Sequence, residues 1–130
     1  MQNDKNEMQV LRDSKNLSFM IYKYAEKAPK KYRHTLLQHM QSLSLEIVEQ
    51  SVKANFYSLS IEGEGKKRID LHRETLAMLS ALDALLVISR ELACFGSREH
   101  ENISKLVASC MKRTSAWLKS DTERFKQLNG

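Results

Sequence analysis

Apolar residues in this chain recur at three- and four-residue intervals through four long windows, and almost nothing between those windows can bend the backbone sharply. Four glycines and one proline are all that its 130 residues contain, and two of the glycines, Gly63 and Gly65, lie together. A sheet protein of this size needs many tight turns, each with its own Gly, Pro or Asn signal. The pattern therefore restricts the chain to long helices with few connections.

The intervals predict helices over residues 8–28, 32–57, 68–94 and 98–126. In the first, Val10, Leu17, Ile21 and Ala28 mark the apolar stripe, and Pro29 ends it by removing a backbone donor and disfavouring helix in the residue before it. In the second, the stripe runs from Leu36 and Leu37 through Met40 and Ile47 to Val52 and Phe56. Residues 58–67, with Ser60, Gly63, Glu64 and Gly65, break the pattern and are expected to form a mobile loop. In the third, Leu76, Val87 and Ile88 widen a stripe built on Leu71, Leu79, Leu82 and Leu86. Self-association and a well-buried central helix explain that width equally. Gly96 is expected in the left-handed position after this helix, with Ser97 as N-cap of the fourth, which carries Ile103, Val107, Cys110, Thr114 and Trp117 at helical spacing. Short links force neighbouring helices to run antiparallel. The expected fold is an all-α, antiparallel up-and-down four-helix bundle in one domain over 1–130.

Several kinds of chemistry lack their residues. No Glu-x-x-His pair of the di-iron bundles occurs, and His34, His39, His72 and His100 are scattered, so surface or partner-contacting roles are expected of them and no metal. The stretch Gly63-Glu64-Gly65-Lys66-Lys67 lacks the spacing, hydroxyl and preceding strand of a phosphate loop, and no serine sits in a Gly-x-Ser-x-Gly elbow. Neither catalysis nor a cofactor is expected. Cys94 lies beside a turn whereas Cys110 lies nearly 20 Å along the last helix, so two reduced, buried thiols are expected. No run approaches the roughly 20 apolar residues of a membrane span. Residues 1–6 carry acid, base and amides rather than a signal sequence, so a cytoplasmic location and no membrane contact are expected.

Charge is distributed unevenly within the net +5. Between residues 23 and 39, Lys23, Lys27, Lys30, Lys31 and Arg33 face only Glu26. Between residues 105 and 130, Lys105, Lys112, Arg113, Lys119, Arg124 and Lys126 face Asp121 and Glu123. Such groups can neutralise phosphates of RNA or DNA without reading sequence, and an ordinary solvated face accounts for them equally well. Phe19 and Tyr22 lie off the first apolar stripe and are candidates for a subunit or partner contact.

Over about residues 17–120 the order of features resembles the accessory variability determinant (Avd) proteins of diversity-generating retroelements. The likeness lies in a first helix ending Ala28-Pro29-Lys30-Lys31-Tyr32-Arg33 and a second opening Thr35-Leu36-Leu37 and continuing Leu45-Glu46-Ile47-Val48-Glu49. It is completed by a last helix closing Lys112-Arg113-Thr114-Ser115-Ala116-Trp117-Leu118-Lys119-Ser120. The four-helix proteins encoded within ribosomal RNA intervening sequences are similar to the same pattern. The first resemblance implies a barrel-like homopentamer of bundles without a catalytic site. It further implies association with a reverse transcriptase and with RNA and DNA, in support of mutagenic cDNA synthesis from template-repeat RNA. By position, Lys30, Lys31 and Arg33 match the family's basic turn, Arg113 and Lys119 match basic positions near its terminal Trp, and Trp117 is expected to be structural. The second resemblance implies a structural interaction protein with no retroelement role.

Overall fold

The four apolar stripes fold as four helices in a computed structural model, which describes residues 2–130, with side chains described from residue 5 onward. Helix α1 is Gln2–Ala25. Helix α2 is continuous through an α-helical Lys30–Tyr32, a π-helical turn Arg33–Leu37 and an α-helical Gln38–Phe56. Helix α3 is Glu62–Glu91 and helix α4 is Ser97–Asn129. Each packs against the two that adjoin it in an antiparallel square, and no strand occurs among the described residues.

One large apolar cluster fills the centre and the end that carries the α1–α2 and α3–α4 turns. Leu17, Ile21, Leu37, Met40, Leu79 and Leu82 are at its heart. At the opposite end the apolar core shrinks to Val10, Ala54 and Trp117, with Leu71 against them. Several small polar side chains that reach the interior, among them Ser44, Ser51 and Ser89, are hydrogen-bonded there. The Ser44 hydroxyl, for instance, lies 3.0 Å from that of Ser18 and donates to the Gln41 carbonyl.

Three expectations need correction. The loop expected over 58–67 is only residues 57–61, because α3 starts at Glu62. Local contacts overcome the weak helix propensity of the two glycines there. The Glu64 carboxylate accepts the Ser58 N–H, Leu59 is buried, and Gly65 lies under the Phe125 ring, where a Cβ would come within 2.5 Å of ring carbons. Asn129 closes the same corner by donating to the Leu59 carbonyl, so α4 runs past the expected end at residue 126.

The second correction concerns the α3–α4 turn. Ala93, at φ +54°, takes the left-handed position, while Gly96 is extended at φ −65° and is itself the N-cap. The amides of Ala93 and Cys94 donate to the carbonyls of Arg90 and Ser89, the double closure that ends many helices. A left-handed alanine costs roughly 1–2 kcal/mol. The Gly96 N–H donates to Glu99, which ties down the start of α4.

Third, two positions expected on the α2 core stripe face outward: Val52 is 49% and Phe56 is 83% exposed. The inward face of this helix continues unbroken at three- and four-residue steps through Leu37, Met40, Ser44, Ile47, Ser51 and Ala54, and Val52 and Phe56 lie off that face.

Candidate nucleic-acid interface

Helix α4 carries Arg98, Lys105, Lys112, Lys119 and Lys126 at seven-residue spacing, and all five are exposed. Seven residues make nearly two full turns, so these side chains form one stripe about 42 Å long that drifts by about 20° per repeat. The only described ion pair along it joins Lys105 to Glu101 across 3.2 Å of solvated surface, an arrangement worth little. From Asn102 to Ser120 the helix contains no acidic residue.

The stripe lies on the side of α4 opposite its buried face, and at Lys112 it reaches the seam between α4 and α1. Lys112 lines a shallow groove there of about 370 Å³ with Asn6, Ala108 and Ala116. The seam is closed by the half-buried Arg113, whose guanidinium is 3.0 Å from Asp13 and donates to the Gln9 amide oxygen. Ser109 also donates to Asp13. Lys23 lies two heptads beyond Gln9, which puts it on the edge of α1 that faces α4, and Asn102 reaches Tyr24 next to it.

The turn group sits at the end from which this stripe starts. Lys27, Lys30 and Lys31 are exposed, and the ammonium of Lys31 lies over the Tyr32 ring at 5.1 Å. Arg33 is turned inward. Its Nε donates to the Ala28 carbonyl at 3.0 Å and its Nη2 to the Glu26 carbonyl at 2.7 Å, so it ties down backbone acceptors of the α1–α2 turn. Of the eight basic residues expected at the interface, then, Lys23, Lys27, Lys30, Lys31, Lys112 and Lys119 are exposed to solvent, while Arg33 and Arg113 are half-buried and hold backbone and side-chain acceptors in place.

Between the end of α1 and the π-helical turn lies a cleft of about 590 Å³. Ala25 and Leu37 form its floor, Tyr22 one wall, and Gln38 and Gln41 stand on the α2 side.

The histidine expectation fails at one position. His72 is buried, with its Nε2 2.7 Å from Asp121 and its ring centroid 4.2 Å from that of Trp117. Asp121 is fully buried and receives Arg68 through Nε at 2.7 Å and Nη2 at 3.2 Å; Arg68 also donates to the Tyr57 carbonyl. Burial by itself pushes the Asp121 carboxyl up, but the hydrogen bonds from His72 and Arg68, with their charges, outweigh it and hold the carboxyl below the usual carboxylate range. Sequence carried a signal for this network: Arg68, His72 and Asp121 are polar residues at positions where the α3 and α4 stripes call for apolar ones. All three residues are buried, and the network ties α3 to α4. His34 and His39 are exposed, and His100 lies 2.9 Å from the Leu86 carbonyl.

Both cysteines are buried and free. Burial, reinforced by Asp13 and opposed by Arg113, pushes the Cys110 thiol up to about 12, and burial also raises Cys94. Among the described residues no group of three or more His, Cys, Asp or Glu is placed to hold a metal ion, and no helix is long and apolar enough to cross a membrane. No protein-family model matches the chain, and no curated protein matches it.

Proposed function

We propose that this protein is a non-catalytic, nucleic-acid-binding accessory subunit of a reverse transcriptase, of the kind the accessory variability determinants of diversity-generating retroelements provide. The observation that carries the reading is the α4 stripe, five exposed cations at seven-residue spacing, with no acid on the helix between residues 101 and 121. A sequence-independent phosphate binder needs such a surface. The exposed lysines of the α1–α2 turn extend it at one end. The polymerase as partner, the RNA and DNA ligands and the role in mutagenic cDNA synthesis come from the resemblance alone.

Self-association of bundles, as a pentamer in that resemblance, is supported by α3. Between Glu74 and Arg90 its only charge is Asp83, and Ala77, Ala81, Ala84, Val87 and Ile88 on it are all exposed. Such a face is suited to a neighbouring copy.

The measurement that tests the reading is binding to RNA and DNA over a salt series. Each neutralised phosphate adds about 0.7–0.9 to the log–log slope. Reversing Lys105, Lys112 and Lys119 to Glu should lower the slope by at least 2 while helicity persists; a salt-independent or absent response sinks the proposal. Light scattering reads the assembly, and a monomer at micromolar concentration contradicts the pentamer. The internal ties of Arg33 and Arg113 favour the second reading, a structural interaction protein of the intervening-sequence type, which predicts no nucleic-acid binding at any salt.

A further inference from the structure

We propose that the cleft between the end of α1 and the π-helical turn of α2 holds one unpaired nucleotide of a single-stranded nucleic acid. This rests on the nucleic-acid reading above and adds to it a preference for single strands over duplexes.

The cleft offers what a nucleotide requires, in the right order. Its volume of about 590 Å³ falls within the roughly 300–1,000 Å³ of small-ligand sites. Its floor, Ala25 and Leu37, is apolar, and on its wall stands Tyr22, 42% exposed, a planar ring on which a base can stack. Gln38 and Gln41, three residues apart on one helix, bring two amides to the same side. Neither side chain has a hydrogen-bond partner among the described residues, and an amide presents the paired donor and acceptor that a base edge matches. The guanidinium of Arg33, anchored on two carbonyls, is held at the rim, and Lys30 and Lys31 precede it on the exposed side. A base inside the cleft would thus leave its phosphate beside fixed positive charge.

The backbone contributes a further sign. The segment of α2 that lines the cleft is the π-helical turn Arg33–Leu37. Single π turns are rare in helices and recur at functional sites. Glu26, also at the rim, accepts hydrogen bonds and would oppose a phosphate placed directly over it, which leaves the Arg33 and Lys30 side as the path of the strand. A duplex cannot use the cleft, because its bases are stacked and paired.

The test uses the full chain, a fluorescent 12-nucleotide single-stranded RNA, the same sequence as a blunt duplex, and free adenosine monophosphate as competitor. Tyr22→Ala should weaken single-strand binding by roughly 10-fold or more and leave duplex binding within 2-fold of wild type. Tyr22→Phe, which keeps the ring, should bind like wild type, and Gln41→Ala should act in the same direction as Tyr22→Ala. The charge reversal at Lys112 and Lys119 should weaken both probes alike, showing that the backbone-binding surface is separate. Unchanged single-strand affinity in Tyr22→Ala, or an equal loss on both probes, overturns the cleft while leaving the functional proposal intact. Adenosine monophosphate competing at the strand's own affinity overturns the strand as the source of the nucleotide. Absence of binding by wild-type protein to any probe at low salt overturns both proposals.

Discussion

Replacing Asp121 by Asn removes one charge from the driest part of the molecule and little else. The carboxylate is 0% exposed and is the shared partner of Arg68 and His72, so the substitution leaves the guanidinium of the buried Arg68 without a counter-charge. Breaking a buried pair from one side costs about 3–5 kcal/mol. Asn keeps one acceptor oxygen in place, which puts the expected loss at the lower figure, about 3 kcal/mol. An unfolding entropy near 2.1 cal/mol/K per residue amounts to about 0.27 kcal/mol/K over 130 residues, so the midpoint should fall by about 11 °C. Circular dichroism melts at one fixed protein concentration, chosen because self-association would make the midpoint concentration-dependent, read the shift directly. Replacing the whole group together (Arg68→Met, His72→Leu, Asp121→Leu) should recover most of the loss, since an apolar filling of similar volume removes the stranded charge. A single variant melting within 3 °C of wild type, or a triple variant no better than the single one, would refute the assignment of the network as an ionic anchor.

The same carboxyl gives the sign of the acid response. Its folded pKa lies below the unfolded value, so its contribution is fully present above about pH 4 and is lost as pH falls through the folded pKa; acid titrations should therefore show a steeper loss of stability in wild type than in Asp121→Asn. Ala93→Gly should stabilise the fold by about 1 kcal/mol in urea unfolding, because the left-handed backbone at φ +54° loses its Cβ penalty; a destabilised variant would contradict that conformation. Gly63→Ala, with nothing within 4 Å of the added carbon, should gain up to about 1 kcal/mol, whereas Gly65→Ala should lose stability against the Phe125 ring and regain it when combined with Phe125→Ala. Both thiols should react with a disulfide reagent only as fast as the chain unfolds, given their burial and the Cys110 pKa near 12; rapid labelling of native protein would count against both.

Periodicity made the helices and most of the core legible, because Leu17, Ile21, Met40, Leu79, Ile103 and Trp117 repeat at the interval that one helix face imposes. What it missed were effects of tertiary contact on weak local signals. Gly63 and Gly65 read as loop because propensity counts backbone entropy and cannot see the Phe125 ring or the Glu64 cap. Gly96 read as the left-handed residue because glycine is the usual occupant, yet the helix closes earlier, with the amides of Ala93 and Cys94 donating to the carbonyls of Arg90 and Ser89 and Ala93 taking the left-handed position. His72 read as a surface residue because its partner lies 49 positions away. The basic residues were legible as a charge excess, but Arg33 and Arg113 could be separated from the lysines only once their acceptors were in view. The seven-residue spacing of the α4 cations was readable in the sequence from the start; counting charge by segment concealed it.

The asymmetry between the two ends of the core bears on how uniquely the bundle is defined. A helix that offers leucines to its neighbour can slide by one turn, about 5.4 Å, and meet leucines again. The Arg68–Asp121 contact forbids that slip between α3 and α4, because every displaced alignment strands a carboxylate, a guanidinium and an imidazole among apolar atoms. One buried acid thus acts as an index mark, fixing how far the last helix is advanced along the third. Through that alignment it also fixes where along the molecule each lysine of the outer stripe stands.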